Sequence, residues 1–179
     1  MKNTLSTLLS AANRKALPCL LIGGNAVILL GSPRMTIDVD LLVPEDKRSQ
    51  WLDLMRDLGY RLLHGTETFA QFDPGKEGMA PVDLMFVDAP TWKNLDEEAR
   101  QEIVADHPVR LPRVEHLIAL KLHAAASPMR EARQQDWEDI RQMVRAWHLD
   151  PSDPYFREII LRHGGEEAMN RIIRYWNEP

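Results

Sequence analysis

Asp38 and Asp40 stand one residue apart in the run Arg34-Met35-Thr36-Ile37-Asp38-Val39-Asp40-Leu41-Leu42-Val43. Side chains alternate across a strand, so a strand here would turn both carboxylates to one face. Like charges side by side repel and destabilise a fold unless a cation lies between them. Hard divalent ions such as Mg²⁺ or Mn²⁺ take oxygen ligands of this kind. Upstream, Leu21-Ile22-Gly23-Gly24-Asn25-Ala26 places a glycine pair between an apolar run and a short helical run. Such a pair brings bare backbone N–H groups up to a phosphate, with a helix N-terminus behind it. Carboxylates for a metal beside a turn for phosphate point to chemistry on a nucleoside triphosphate.

These residues need elements to hold them. Leu5, Leu8, Leu9 and Ala12 recur at helical spacing and predict a helix over 3–16, with Asn3 or Thr4 as its cap and Pro18 as its stop. A buried strand over 19–22 leads into the glycines. A short helix over 24–31 carries Val27, Ile28 and Leu30 and ends at Gly31-Ser32-Pro33. The paired carboxylates fall on a strand over 37–43 that Pro44 ends. A helix over 45–58 (Trp51, Leu52, Leu54, Met55, Leu58) closes at Gly59. Residues 60–64 and 67–73 form a hairpin around Gly65, and turn residues follow. The run 81–87 reads as a third core strand interrupted by one carboxylate, Asp83. Asp88, at its end and just before Pro90, is the rival for a third acidic position.

Residues 88–112 hold three prolines and read as mostly loop, with a helix near 94–103. Beyond 113 the pattern is helical. Leu117, Leu120 and Ala124 mark a stripe on a helix over 113–126, and Ile140, Val144 and Trp147 another over 131–147. Helices near 155–162 and 165–176 are separated by Gly164-Gly165. The expected organisation is a mixed α/β part, 1–112, and a helical part, 113–179, packed on it.

The chain has 179 residues, 44% of them hydrophobic, which is enough for a real core. Its formal net charge of -5 supplies no global field for nucleic acid, so such a substrate would need a local patch. A single cysteine, Cys19, excludes an internal disulfide framework and fits a reducing cytoplasm; within Pro18-Cys19-Leu20-Leu21-Ile22 it reads as a buried, inert thiol. The first residues lack a signal-peptide apolar region, and no segment is apolar for long enough to span a bilayer. The expectation is a cytoplasmic protein without a membrane partner.

The combination of Gly23-Gly24, Asp38-Val39-Asp40 and a later-strand Asp83 resembles the nucleotidyltransferase-fold family that includes DNA polymerase β, kanamycin nucleotidyltransferase and tRNA nucleotidyltransferases. Gly24-Asn25-Ala26, Gly31, Arg34, Thr36 and the Asp-x-Asp are most similar to the branch of AbiEii-type toxins. Lys121-Leu122-His123-Ala124 and Asp136 match that branch's downstream Lys-x-x-Ala and later Asp. The resemblance spans residues 18–145. It implies an α/β (α+β) nucleotidyltransferase fold: a small mixed β-sheet flanked by helices, then a C-terminal helical region. It also implies two-metal transfer of a nucleoside monophosphate from an NTP to an acceptor hydroxyl, with pyrophosphate released. Asp38, Asp40 and Asp83 would hold Mg²⁺ or Mn²⁺. Asp83 would also help deprotonate the acceptor. Gly23, Gly24 and Asn25 would line the phosphates, and Lys121 would neutralise triphosphate charge. The acceptor would be RNA or tRNA, a protein, or a small molecule. A toxin-like role would bring a partner such as an antitoxin.

The residues themselves leave alternatives. Arg34 and Thr36 either bind substrate or fix their loop by an ion pair or a cap. Lys121 lies on the stripe of its helix, and Asp136 flanks the stripe of the next. The two either pair across the helix interface or point into a nucleotide cleft. Arg130, Arg133, Arg141 and Arg145 make either a basic face for RNA or a solvated face paired with Glu131, Glu138 and Asp139. The histidines lack metal-ligand spacing, and Trp137 and Trp147 read as helix-packing residues, with stacking of a base as the alternative for an exposed one. A catalytically inactive nucleotide-binding or protein-interaction module on the same fold is the competing function. Retention of three carboxylates argues against it. A Rossmann domain is excluded, because there is no Gly-x-Gly-x-x-Gly and no extended βαβ alternation.

Overall fold

The computed structural model describes residues 2–32, 34–104, 107–126 and 132–178. The chain divides into two compact units. The first comprises Met1–Ala26 with Met35–Pro112, and the second Val27–Arg34 with Arg113–Pro179.

In the first unit α1 (Lys2–Arg14) buries the expected Leu5, Leu8, Leu9 and Ala12. It starts before Thr4, so Thr4 is not its cap. The Thr4 hydroxyl is buried and accepts from the Ala80 N–H at 2.9 Å, while the Tyr60 hydroxyl donates to the Ala80 carbonyl at 3.2 Å. These two bonds fix the chain just ahead of β5. The sheet has five strands: β1 (Leu20–Leu21), β2 (Val39–Pro44), β3 (Arg61–Gly65), β4 (Phe69–Asp73) and β5 (Val82–Val87). Their order is β1-β2-β5-β4-β3; only the central β2–β5 pair is parallel. β2 is buried on both faces except at Asp40, as befits a central strand of Val and Leu. β5 alternates buried and half-buried positions, with Val82, Leu84 and Phe86 in the core and Asp83 on the other face.

α2 (Gly23–Leu29) follows β1 directly. α3 (Arg48–Asp57) buries Trp51, Leu54 and Met55 and closes at Gly59, whose φ of +86° suits glycine. The region 88–112 differs from the loop-and-helix expectation. Its helix, α4 (Ala89–Glu97), begins earlier, because Asp88 caps it and Pro90 sits in its first turn. The remainder is a hairpin of β6 (Arg100–Val104) and β7 (His107–Leu111). In β7, Val109 and Leu111 are buried while Pro108 and Arg110 are exposed, a period-2 pattern that the prolines obscured.

The second unit packs α5 (Val114–Ala125), α6 (Arg133–Ala146) and α7 (Pro154–Trp176) against one another. Leu117 is buried as expected, but the buried stripe of α5 continues through Ile118, Leu122 and Ala125; Leu120 and Ala124 are half-buried. On α6 the core positions are Asp136, Trp137, Asp139, Ile140, Met143 and Val144. Trp147 lies at the edge, 40% exposed, with its indole N–H donating to the Leu30 carbonyl at 3.0 Å. Trp137 is buried under the Arg171 guanidinium, 4.2 Å from its ring centre. α7 breaks at Gly165, whose backbone is not helical, in agreement with the two helices read from the sequence. Among the described residues, no helix is long and apolar enough to cross a membrane.

Candidate active site

The register of β2 and β5 sets Asp40 directly beside Asp83. Parallel neighbours in register turn matching residues to the same face, so the two carboxylates lie side by side. Asp38 comes just before β2, and one ligand oxygen from each of Asp38, Asp40 and Asp83 lies within 4.8 Å of the others. All three residues are half-buried. Three hard oxygen donors at this spacing fit a divalent cation such as Mg²⁺ or Mn²⁺, and the set holds none of the soft ligands that would favour zinc or copper. Asp88 takes no part in this cluster. Its carboxylate accepts from the Thr91 N–H at 2.9 Å, and the Thr91 contacts hold its carboxyl below the usual range.

The flanking residues serve this cluster. Gly23 has φ +61°, and a Cβ there would collide with the Asp40 carboxylate. The glycine is therefore required by close approach as well as by backbone conformation. Gly24 is buried in α2. Asn25 is also buried, and its amide donates to the Asp38 carbonyl at 2.7 Å. The Thr36 hydroxyl donates to Asp38 Oδ1 at 2.5 Å. Gly23→Ala should lower the melting temperature by several degrees, since left-handed backbone costs a non-glycine residue about 1–2 kcal/mol before the collision is counted. It should also abolish any Mg²⁺-induced stabilisation. Calorimetry with and without Mg²⁺ checks both.

A second group of expected site residues lies in the second unit. Arg34 Nη1 donates to Asp139 Oδ2 at 2.6 Å. Lys121 Nζ reaches Asp136 Oδ1 at 2.9 Å and the same Asp139 oxygen at 2.7 Å. The Asp136 and Asp139 side chains are 1% and 0% exposed. Lys121 and Asp136 thus pair across the helix interface, one of the two alternatives their positions allowed. Arg34 makes an ion pair, as the loop-fixing alternative required. The sequence reading missed Asp139 by placing it among solvated partners. Its spacing of three from Asp136 and its place beside Ile140 were the signal. Two arginines of α6 pair instead with half-buried acids: Arg141 with Glu138 and Glu178, and Arg145 with Glu178. Arg130 and Glu131 lie outside the described residues. Cys19 is half-buried, and desolvation pushes its thiol up to about 12, so the reactive thiolate is scarce at neutral pH.

No protein-family model matches the chain, and no curated protein matches it in sequence. Solved structures do match. The antibiotic-resistance factor ANT(2'')-Ia, in solution, superposes with a TM-score of 0.66 at 18% identity, over 88% of this chain and 88% of that one. The lincosamide antibiotic adenylyltransferase LnuA, with lincomycin bound, gives 0.59 at 13% identity over 80% of this chain and 96% of its own. A nucleotidyltransferase-like protein from Paracoccidioides brasiliensis gives 0.57 at 16% identity over 95% and 92%. The chain has the nucleotidyltransferase fold, a mixed α/β sheet flanked by helices.

Proposed function

We propose that this protein is a metal-dependent nucleotidyltransferase that moves a nucleoside monophosphate from an NTP to an acceptor hydroxyl. The observation that carries the reading is the convergence of one oxygen each of Asp38, Asp40 and Asp83 within 4.8 Å at the β2–β5 pair, Asp38 just ahead of β2. The acceptor oxygen bonds to the α-phosphorus, the bond to the bridging oxygen of the β-phosphate breaks, and pyrophosphate leaves with that electron pair. Bound Mg²⁺ or Mn²⁺ supplies Lewis acidity and neutralises phosphate charge. Asp38 and Asp40 would hold the cation. Asp83 would share it and draw the proton from the acceptor hydroxyl. Gly23 and Gly24 let the backbone approach the phosphates. Lys121 and Asp136 serve first as an ion pair within their own unit, and Lys121 would also neutralise triphosphate charge.

The acceptor belongs to one of three classes. A toxin-like enzyme would modify tRNA or a protein and be held by an antitoxin. The fold's likeness to ANT(2'')-Ia, solved with adenylyl-2''-tobramycin, and to LnuA, solved with lincomycin, supports adding small hydroxylated antibiotics to the trial. The reading is tested by thermal stability of the parent and Asp38→Asn, with and without Mg²⁺, against each of the four NTPs. A ligand that binds only the folded state raises the melting temperature by mass action, about 2.7 kcal/mol at a hundred times its Kd. A Mg²⁺-dependent rise, lost in the variant, is expected. The base that gives the largest rise then labels tRNA, protein and aminoglycoside acceptors in parallel. A folded parent that no NTP stabilises would leave the inactive interaction module as the reading.

A further inference from the structure

Two of the three clustered carboxylates are set by the sheet, and the third is not. Asp40 and Asp83 are register partners inside β2 and β5, so the strand ladder fixes both backbones. Asp38 precedes the strand, and the Val39 N–H, bonded to the Pro81 carbonyl at 2.9 Å, is the bond nearest it that ties β2 to the β5 side. The segment before Asp38 gains little from burial. Met35 is 90% and Ile37 74% exposed, while the alternate residues Thr36 and Asp38 turn inward and are half-buried. What holds Asp38 is therefore polar. The buried Asn25 amide grips its carbonyl at 2.7 Å, and the Thr36 hydroxyl grips its Oδ1 at 2.5 Å.

We infer that Thr36 is a positioning residue for the metal site, with Asn25 anchoring the backbone beneath it. Neither acts as a group that binds substrate. The inference rests on the metal reading above and assigns a task within it. A carboxylate can rotate about its last side-chain bond, and each rotation changes which oxygen meets its neighbours. A hydroxyl bonded to Oδ1 stops that rotation and keeps a single presentation toward Asp40 and Asp83. Partners of this kind around a metal ligand typically change affinity 10- to 100-fold when removed. Asn25 contributes at the main chain. Its amide donates to the Asp38 carbonyl, two residues from Asp40.

The test is Mn²⁺ binding to the nucleotide-free protein, followed by the electron paramagnetic resonance signal of the free ion. Thr36→Val keeps the shape and removes the hydroxyl; Thr36→Ser keeps the hydroxyl. The expected result is a Kd for Mn²⁺ raised 10- to 100-fold in Thr36→Val and close to the parent's in Thr36→Ser, with metal-free melting temperatures alike. If Thr36→Val melts far below the parent, Thr36→Ala carries the comparison. Equal Mn²⁺ affinity in the parent and the hydroxyl-free variant overturns the inference and leaves the metal reading standing. Weak binding in Thr36→Ser as well also overturns it, since the hydroxyl would then not be the operative group. A folded parent that binds no Mn²⁺ overturns the metal reading, and this inference with it.

Discussion

Asp40→Asn should lose nucleotidyl transfer by roughly 1,000-fold, about 4 kcal/mol in the barrier, while its fold melts no lower without metal. The two halves of this result come from one geometry. Asp40 sits beside Asp83 in register and within reach of Asp38, so three negative charges crowd one site. An amide keeps the shape and removes one charge. Without a cation the remaining pair repels less, and stability holds or rises. With a cation, the site has lost a charged oxygen ligand at the point where phosphate charge must be balanced. Transfer of α-labelled NTP measures the first half, and calorimetry with and without Mg²⁺ measures the second. Parental transfer by Asp40→Asn would sink the mechanism. A large fall in metal-free stability would instead mark Asp40 as a structural group.

Lys121→Ala is expected to have the largest effect on stability. It strips an ammonium from two carboxylates that are 1% and 0% exposed and leaves them to Arg34 and their polar neighbours. Breaking a buried ion pair from one side typically costs 3–5 kcal/mol, so the melting temperature should fall by about 10 °C. Substituting the pair together should recover much of the loss: Lys121→Met with Asp136→Leu replaces both buried charges by apolar groups and leaves Arg34 with Asp139. NTP affinity separates the two roles of Lys121. If the double variant is stable and binds Mg²⁺-NTP like the parent, Lys121 is structural alone. If it is stable and binds the nucleotide tenfold or more weakly, the ammonium also serves the triphosphate.

The acidic cluster was legible because strand chemistry is local. Apolar neighbours mark the strand Val39–Pro44 that holds Asp40, and the residue spacing puts Asp38 just ahead of it. Asp83 was legible as a lone charge in an apolar run. Its register with Asp40 was not, since pairing across a sheet is set by the whole topology. The same applies to Asn25, whose carbonyl partner lies on a separate element. Asp139 escaped notice because a carboxylate among arginines reads as solvated; only the helix packing shows it buried. The β6–β7 hairpin escaped because Pro108 and Pro112 suggested loop, although an edge position in a two-stranded ribbon tolerates proline.

The parallel pairing of β2 with β5 also governs how the protein is assembled. These neighbours are separated along the chain by α3 and the β3–β4 hairpin, and β5 lies between β2 and β4 in the sheet. Such a long-range closure carries a loop-entropy cost that must be met before the contacts form. The acidic cluster therefore does not exist in a chain that has made only its local helices and hairpin. A cation held by Asp38, Asp40 and Asp83 would act as a latch that only the paired β2 and β5 can close, so it should slow unfolding more than it hastens folding.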